Sequence, residues 1–366
     1  MNRTLSAIVK TSACYAFLFA TATTAPAKDL NIYTWADYFG AETIEQHKKQ
    51  TGVNIRLDYY DSNEVLETKM LTGSSGYDVV FPATSNAARE FQAGALATID
   101  TDRLSNYANL NPAILSSLDK VEGGRKIGVP YTWGTIGIAY NVAEITKRLG
   151  EQRMDTLDVL FKPEIAEKLK ECGIAMLDSP LEITSIALNY VGADPYSNDN
   201  AELKKAENVL STAAKSVRYF HNQKATNDLA GGDLCVALIY SGDAGLAAAR
   251  AAETGSGVEI AYAIPKEGTL MWIDLMAIPA DAPNPDEAYR FLDYLLEPQV
   301  IADVTNTVYF ANANLAANEF IDKAILSDPG VYPTDEVFAR LFPDLSIDLR
   351  GQRGRTRLWT RVRTGR

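Results

Sequence analysis

The chain has only two histidines, His47 and His221, and three cysteines in 366 residues. Two histidines exclude a His-rich metal site, and the lack of a C-x-x-C pair removes the usual zinc and dithiol redox motifs. No G-x-S-x-G elbow, phosphate-binding P-loop or glycine-rich dinucleotide turn occurs. Positive charge is also short: 35 Lys and Arg stand against 47 Asp and Glu, a net charge of −12. That balance argues against a nucleic-acid partner and suits a cationic ligand.

Long apolar runs are missing too. Thr11–Ala22 is apolar but too short to span a bilayer. With Arg3 and Lys10 in front and Ala25-Pro26-Ala27 behind, residues 1–27 read as a secretory signal. Thr11–Cys14 matches a lipoprotein box only weakly, so lipidation is set aside. The expectation is a soluble, exported, periplasmic protein. Cys172 and Cys235 would remain after export, and an even pair there reads as a disulfide in preference to two free thiols.

What is present is the grammar of two or three α/β domains, with 46% hydrophobic residues to build them. "VNIRLDYY" from Val53, "DVVFPA" from Asp78, "KIGVPYTW" from Lys126 and "IGIAYN" from Ile136 read as strands; "SNEVLETKM" and "NAAREFQAG" read as helices. Such alternation implies largely parallel strands with binding loops at their carboxyl ends. Ser179, Pro180 and Glu182 form a capping box, and Gly192 ends that helix. Asn284, Pro285 and Glu287 repeat the pattern, with Pro298 as the stop. Residues 258–283 look like two strands around the Pro265–Gly268 turn.

Asp274 is the sharpest anomaly. It interrupts "TLMWIDLMAIPA", an otherwise apolar strand, and an unpaired charge is costly to bury. Alternation puts Leu270, Trp272, Met276 and Ile278 on its face. A half-exposed strand or an Arg partner is the plainer account; a functional role is favoured. Other acids have ordinary explanations. Asp243 opens a helix, where the dipole favours acids. Glu182 already serves the capping box, Asp37 suits a turn, Tyr240 suits packing, and Ser85 suits a helix N-cap. Trp35, Asp37 and Tyr38 leave the first strand together, as a turn or as one wall of a site for something cationic and partly apolar. His47, beside Lys48 and Lys49, reads as solvated. Seven arginines in the last 17 residues read as a solvated basic tail or helix end. Asp274 and Asp243 would also serve an exported hydrolase as acid and base, though nothing in the sequence selects that pair.

Several segments together carry a resemblance: "IYTWADY", "DSNEVLE", "GYDVVFP", "IGVPYTWGTIGIAYN", "LDSPLE", "RYFHNQ", "NDLAGGDLCVALIYSGD", "IPKEG", "AIPADA", "DEAYRFLDYLLEP", "ANAN" and "RTRLWT". Over essentially the whole length after the signal, the chain resembles the periplasmic polyamine-binding proteins that feed ABC importers, the putrescine binders above all. The resemblance implies a type II periplasmic binding protein fold of class α/β. Each lobe would be a mixed, mostly parallel sheet flanked by helices, with the ligand in the interlobe cleft. Lobe 1 would comprise residues 28–134 and 260–306, and lobe 2 residues 135–259 and 307–366. It implies no catalysis, no cofactor and no metal. The implied partners are a polyamine and an inner-membrane ABC permease, with no nucleic acid, and the protein would be a monomer.

Matched position by position, the resemblance implies a ligand site. Trp35 and Tyr38 would pack on the polyamine stem. Asp37 would be an acid of the first loop and Ser85 a residue of the second. Glu182 and Asp243 would be acids of the second lobe, and Asp274 would grip an ammonium. Tyr240 stands where the family usually has tryptophan, and Trp272 occupies an aromatic position. Cys172 and Cys235 match the family's disulfide. Ala36 and Ala83 replace serines. The tyrosine before "ANAN" falls at Phe310, with Tyr309 one position earlier. Trp272 is phenylalanine in putrescine binders and tryptophan in spermidine binders, and Asp344 falls near the far end of the cleft. The expected ligand is a polyamine, putrescine first, with spermidine or agmatine as alternatives.

Overall fold

A computed structural model describes residues 29–365. The expected signal segment, with Cys14, lies outside the described residues.

The chain opens on β1 (Asp29–Trp35), where Leu30, Ile32 and Thr34 point inward by period-2 alternation. β2 (Asn54–Tyr60) and β3 (Val79–Val80) flank it in a parallel sheet of order β2-β1-β3. The helices Asn63–Leu71 and Thr84–Gln92 follow β2 and β3.

The two strands read at Lys126 and Ile136 are one, β4 (Val129–Asn141), with a register shift between Pro130 and Trp133. The remaining strands are β5 (Ile174–Met176), β6 (Tyr219–Phe220), β7 (Val236–Tyr240), β8 (Ile260–Ala263), β9 (Leu270–Met276), β10 (Ala311–Asn312) and β11 (Phe342–Pro343). The main path of the second sheet is β11-β9-β4-β7-β5-β6, with β8 and β10 also on β4. β5 pairs parallel with β6 and β7, and β9 with β11. β4 instead runs antiparallel to β7, β8, β9 and β10. The architecture is mixed α/β.

Two hydrophobic cores share β4 and β9. Tyr131 and Trp133 enter the first core and Ile136 and Ile138 the second; Ile273 enters the first and Trp272 the second. A groove between the two cores therefore has β9 in its floor. Val308, Ala311 and Val331 pack with the first core, whereas Leu358, Trp359 and Val362 pack with the second.

Four local expectations are corrected. His47 is fully buried, wedged between the Phe291 and Tyr294 rings at about 5 Å, because its helix turns that face toward the first core. The basic tail is a packed helix, Leu349–Thr364. Its Arg355 is wholly buried and donates to Ser185 Oγ (2.6 Å) and to the Pro195 and Ser197 carbonyls, while Arg361 pairs with Glu207 and Arg363 with Asp178. Pro298 starts a helix, Pro298–Val308, after the preceding one ends at Leu295. Asn284 does not cap with its side chain; that amide binds the Asp29 carbonyl and Asp78 instead.

Cys172 and Cys235 are disulfide-bonded across 63 residues. The chain-entropy model gives such a loop roughly 4 kcal/mol of stabilisation. Glu144 lies close enough to complete a metal cluster with them, but the disulfide occupies both sulfurs.

Candidate functional site

The groove holds a cavity of 220 Å³ walled by segments from both cores. Trp35, Ala36, Asp37 and Tyr38, at the exit of β1, form one side with Asn63 and Ala83. Glu182 comes from the helix Pro180–Tyr190, and Tyr240 ends β7. Asp243, Leu246 and Arg250 line one face of the helix Ser241–Thr254. Trp272 and Asp274 rise from β9, and Phe310 closes the far wall. Ten of the twelve residues expected at the site share this one cavity. Ser85 and Asp344 do not reach it; they line a small adjoining space together with Trp35, Glu182 and Tyr240.

Asp274 is 6% exposed and has no Arg partner among the described residues. Its Oδ2 accepts the Tyr38 hydroxyl at 2.6 Å, and that hydroxyl also contacts Thr132 Oγ1 at 2.5 Å. Burial pushes the carboxyl up to about 7, with the Tyr38 hydroxyl opposing. Asp243 is likewise pushed up to about 7 by burial, with Arg250 pulling down. Glu182 rises to about 8, from burial first and then the charge of Asp344. Three acids thus face one cavity with ionisation suppressed, because burial outweighs the hydrogen bonds and the Arg250 charge that oppose it.

The capping box does not form. Ser179 holds the N-cap position, but its side chain makes no capping bond. Glu182 accepts the Tyr240 hydroxyl at 2.8 Å instead. Glu182 makes no bond to the helix start, and its carboxylate faces the cavity.

The walls between the acids are aromatic. Trp272 meets Phe310 edge-on at 4.9 Å and Tyr240 at 5.9 Å. Trp35 is held by the Tyr60 ring at 4.6 Å. Gly134 on β4 makes room for Trp272: a Cβ there would lie 2.7 Å from the indole. Asp37 takes a left-handed φ of 53° and reaches Arg250 Nη2 at 3.5 Å, a contact bridging the groove.

Sequence reading missed Arg250, Asn63, Asn222, Gln223, Thr226 and Asn227. Arg250 had a usable signal. Asp243, Leu246 and Arg250 are spaced three and four apart, which puts them on one helix face. The amides around the helix Lys224–Ala230 carried none, because polar residues near a helix start usually cap or face water.

A cavity with suppressed carboxylates and aromatic walls is built to hold something positively charged with apolar parts. Comparison with known proteins agrees in class. The bacterial extracellular solute-binding protein family matches residues 42–333. The putrescine-binding periplasmic protein SpuD of Pseudomonas aeruginosa is 42% identical over 340 residues, 93% of each chain. The putrescine-binding periplasmic protein PotF of Escherichia coli is 42% identical over 344 residues, again 93% of each. The solved spermidine/putrescine ABC transporter substrate-binding protein PotD from Streptococcus pneumoniae shares the fold, with a TM-score of 0.76 at 24% identity, covering 92% of this chain and 99% of that one. By name, these relatives are solute-binding proteins. This chain belongs to the bacterial extracellular solute-binding protein family.

Proposed function

We propose that this protein captures a polyamine in the periplasm, putrescine being the first candidate, and delivers it to an ABC permease of the inner membrane. The observation that carries the reading is the convergence of Asp274, Asp243 and Glu182 on one aromatic-walled cavity. A polyamine is an apolar chain with an ammonium at each end. Carboxylates hold the ends by charge-assisted hydrogen bonds. Trp35, Tyr38, Tyr240, Trp272 and Phe310 would cover the methylenes, each favourable cation–π contact adding roughly 0.5–2 kcal/mol. An exported hydrolase would need a positioned water between two acids, and the relatives are binding proteins.

The reading includes two lobes, built from residues 28–134 with 260–306 and from 135–259 with 307–366. The two cores support a two-lobed division, except that Val308, Ala311 and Val331 of the segment given to the second lobe pack with the first core. It also includes residues 1–27 as the export signal, a monomeric state and no nucleic-acid partner. A dication between the lobes relieves repulsion among their acids and so favours the closed arrangement.

A thermal-shift panel of putrescine, spermidine, agmatine and neutral diols tests this. Saturable stabilisation by amines alone is expected, worth about 2.7 kcal/mol at a hundredfold excess over Kd. Indifference to every amine would overturn it.

Arg250 supplies a contrasting prediction. Its partner Asp37 is 77% exposed at the side chain, and exposed pairs are worth about 1 kcal/mol or less. Arg250→Ala should therefore change putrescine affinity by less than about fivefold in calorimetry. A loss of a hundredfold would assign Arg250 a direct role in holding the ligand.

A further inference from the structure

The terminal helix Leu349–Thr364 carries six arginines and no acid, in a chain whose net charge is −12. Three of the six have structural partners. Arg355 is buried, Arg361 pairs with Glu207 and Arg363 with Asp178. Arg350, Arg353 and Arg357 are exposed and make no ion pair or side-chain hydrogen bond among the described residues. With Arg361 they recur every three or four residues, so one helix face bears a straight row of guanidinium groups, about 16 Å long. Lys204 widens the row, since it shares Glu207 with Arg361. Leu358, Trp359 and Val362 pack the opposite face into the second core and fix which way the row points. Arg350, Arg353 and Arg357 line neither the ligand cavity nor its adjoining space.

Helix stability does not account for this row. Arg350 lies in the first turn, where the macrodipole disfavours a cation. Like charges three or four residues apart repel, and the row contains three such pairs in succession. Asp348, the N-cap, spends Oδ1 on the Gly351 N–H at 2.7 Å. Solubility does not account for it either, because an acidic chain would move further from zero charge without these arginines. An acidic protein partner would need an apolar centre inside its charged rim. Leu349, 65% exposed at one end of the row, is the one large apolar side chain that this helix exposes. Cations in a line with a single apolar residue at the tip fit a plane of anionic headgroups, which attracts basic segments by charge alone.

We propose that the row of Arg350, Arg353, Arg357 and Arg361 docks the protein on a bilayer surface of anionic phospholipid. The docking is independent of the ligand, and under the proposed function it keeps the loaded carrier beside the membrane of its permease. The test is flotation of the full mature protein with vesicles of phosphatidylglycerol and phosphatidylcholine in equal parts, and with phosphatidylcholine alone. Binding to the anionic vesicles only is expected, weakening as salt is raised. Arg350→Gln, Arg353→Gln and Arg357→Gln combined should lower that binding by roughly tenfold or more, whereas lysine at the same three positions should keep it within about threefold. Both variants should match the wild type in putrescine calorimetry, and the glutamine variant should melt no lower, since its changes relieve repulsion. No flotation with anionic vesicles, equal flotation with phosphatidylcholine alone, or a glutamine variant that floats like the wild type overturns the proposal. Loss of binding in the lysine variant also overturns it, because charge is then not what holds the surface. A glutamine variant that melts well below the wild type gives the arginines a structural role and overturns it too. Capture by immobilised polyglutamate without flotation overturns the lipid assignment and points to an acidic protein face.

Discussion

Asp274→Asn is expected to lower putrescine affinity by about 2–5 kcal/mol, roughly thirtyfold to several thousandfold, the range for removing one partner of a buried charge pair. The fold should survive. Asparagine has nearly the same shape, and its carbonyl oxygen can still accept the Tyr38 hydroxyl that now meets Asp274 at 2.6 Å. The ligand-free variant should melt no lower than the wild type, because a neutral amide replaces a carboxyl that burial disfavours as an anion. Calorimetry and a melt of the same sample separate the two effects. Unchanged affinity would show that Asp274 is a structural partner of Tyr38 and that the ammonium lies elsewhere. Lost affinity with a collapsed melt would make it a folding residue.

Putrescine affinity should rise with pH, by about a hundredfold between pH 6 and pH 8 if two of the three acids must ionise to bind. Without ligand, burial holds Asp274 and Asp243 near 7 and Glu182 near 8. A bound ammonium favours the carboxylate form and lowers all three. The free protein therefore carries more protons than the complex, binding releases protons, and raising the pH tightens it. Each group contributes on the order of tenfold over this range. The amines stay charged throughout, since alkylammonium groups titrate near 10.4, as lysine does. Ligand-free stability runs the other way. The folded values lie above the unfolded values of about 4, so stability is greatest at the acid side and declines as pH rises through 7 to 8. Titrations in two buffers of different ionisation enthalpy count the released protons. A flat affinity with no proton release would mean that the acids are already ionised in the empty cleft.

The strand and helix order was largely legible, because period-2 and period-3.6 apolar patterns are local. β1, β2 and the helices Asn63–Leu71 and Pro180–Tyr190 fall where the pattern puts them. β4 was not legible as one strand, since Gly134 and Gly137 interrupt its apolar run. Those glycines exist for close approach: a Cβ would strike Trp272 at the first and Tyr262 at the second. His47 and Arg355 were misjudged for one reason. A polar residue's burial is set by which neighbour covers its helix face, and neither Phe291 nor Ser185 is near in sequence.

The candidate site divides the same way. An acid within an apolar strand is improbable enough that Asp274 stands out from the sequence alone. Glu182 and Asp243 were hidden by sound local explanations, a capping box and a helix dipole. Only the folded chain shows Glu182 released from its cap onto Tyr240, 58 residues away, and Arg250 turned toward Asp37, 213 residues away. Composition, charge pattern and periodicity settle what the chain can form, because they act over one or two turns. Which acids share a cavity, and whether any cation neutralises them, is decided by contacts between segments far apart in sequence, where packing and burial set the electrostatics.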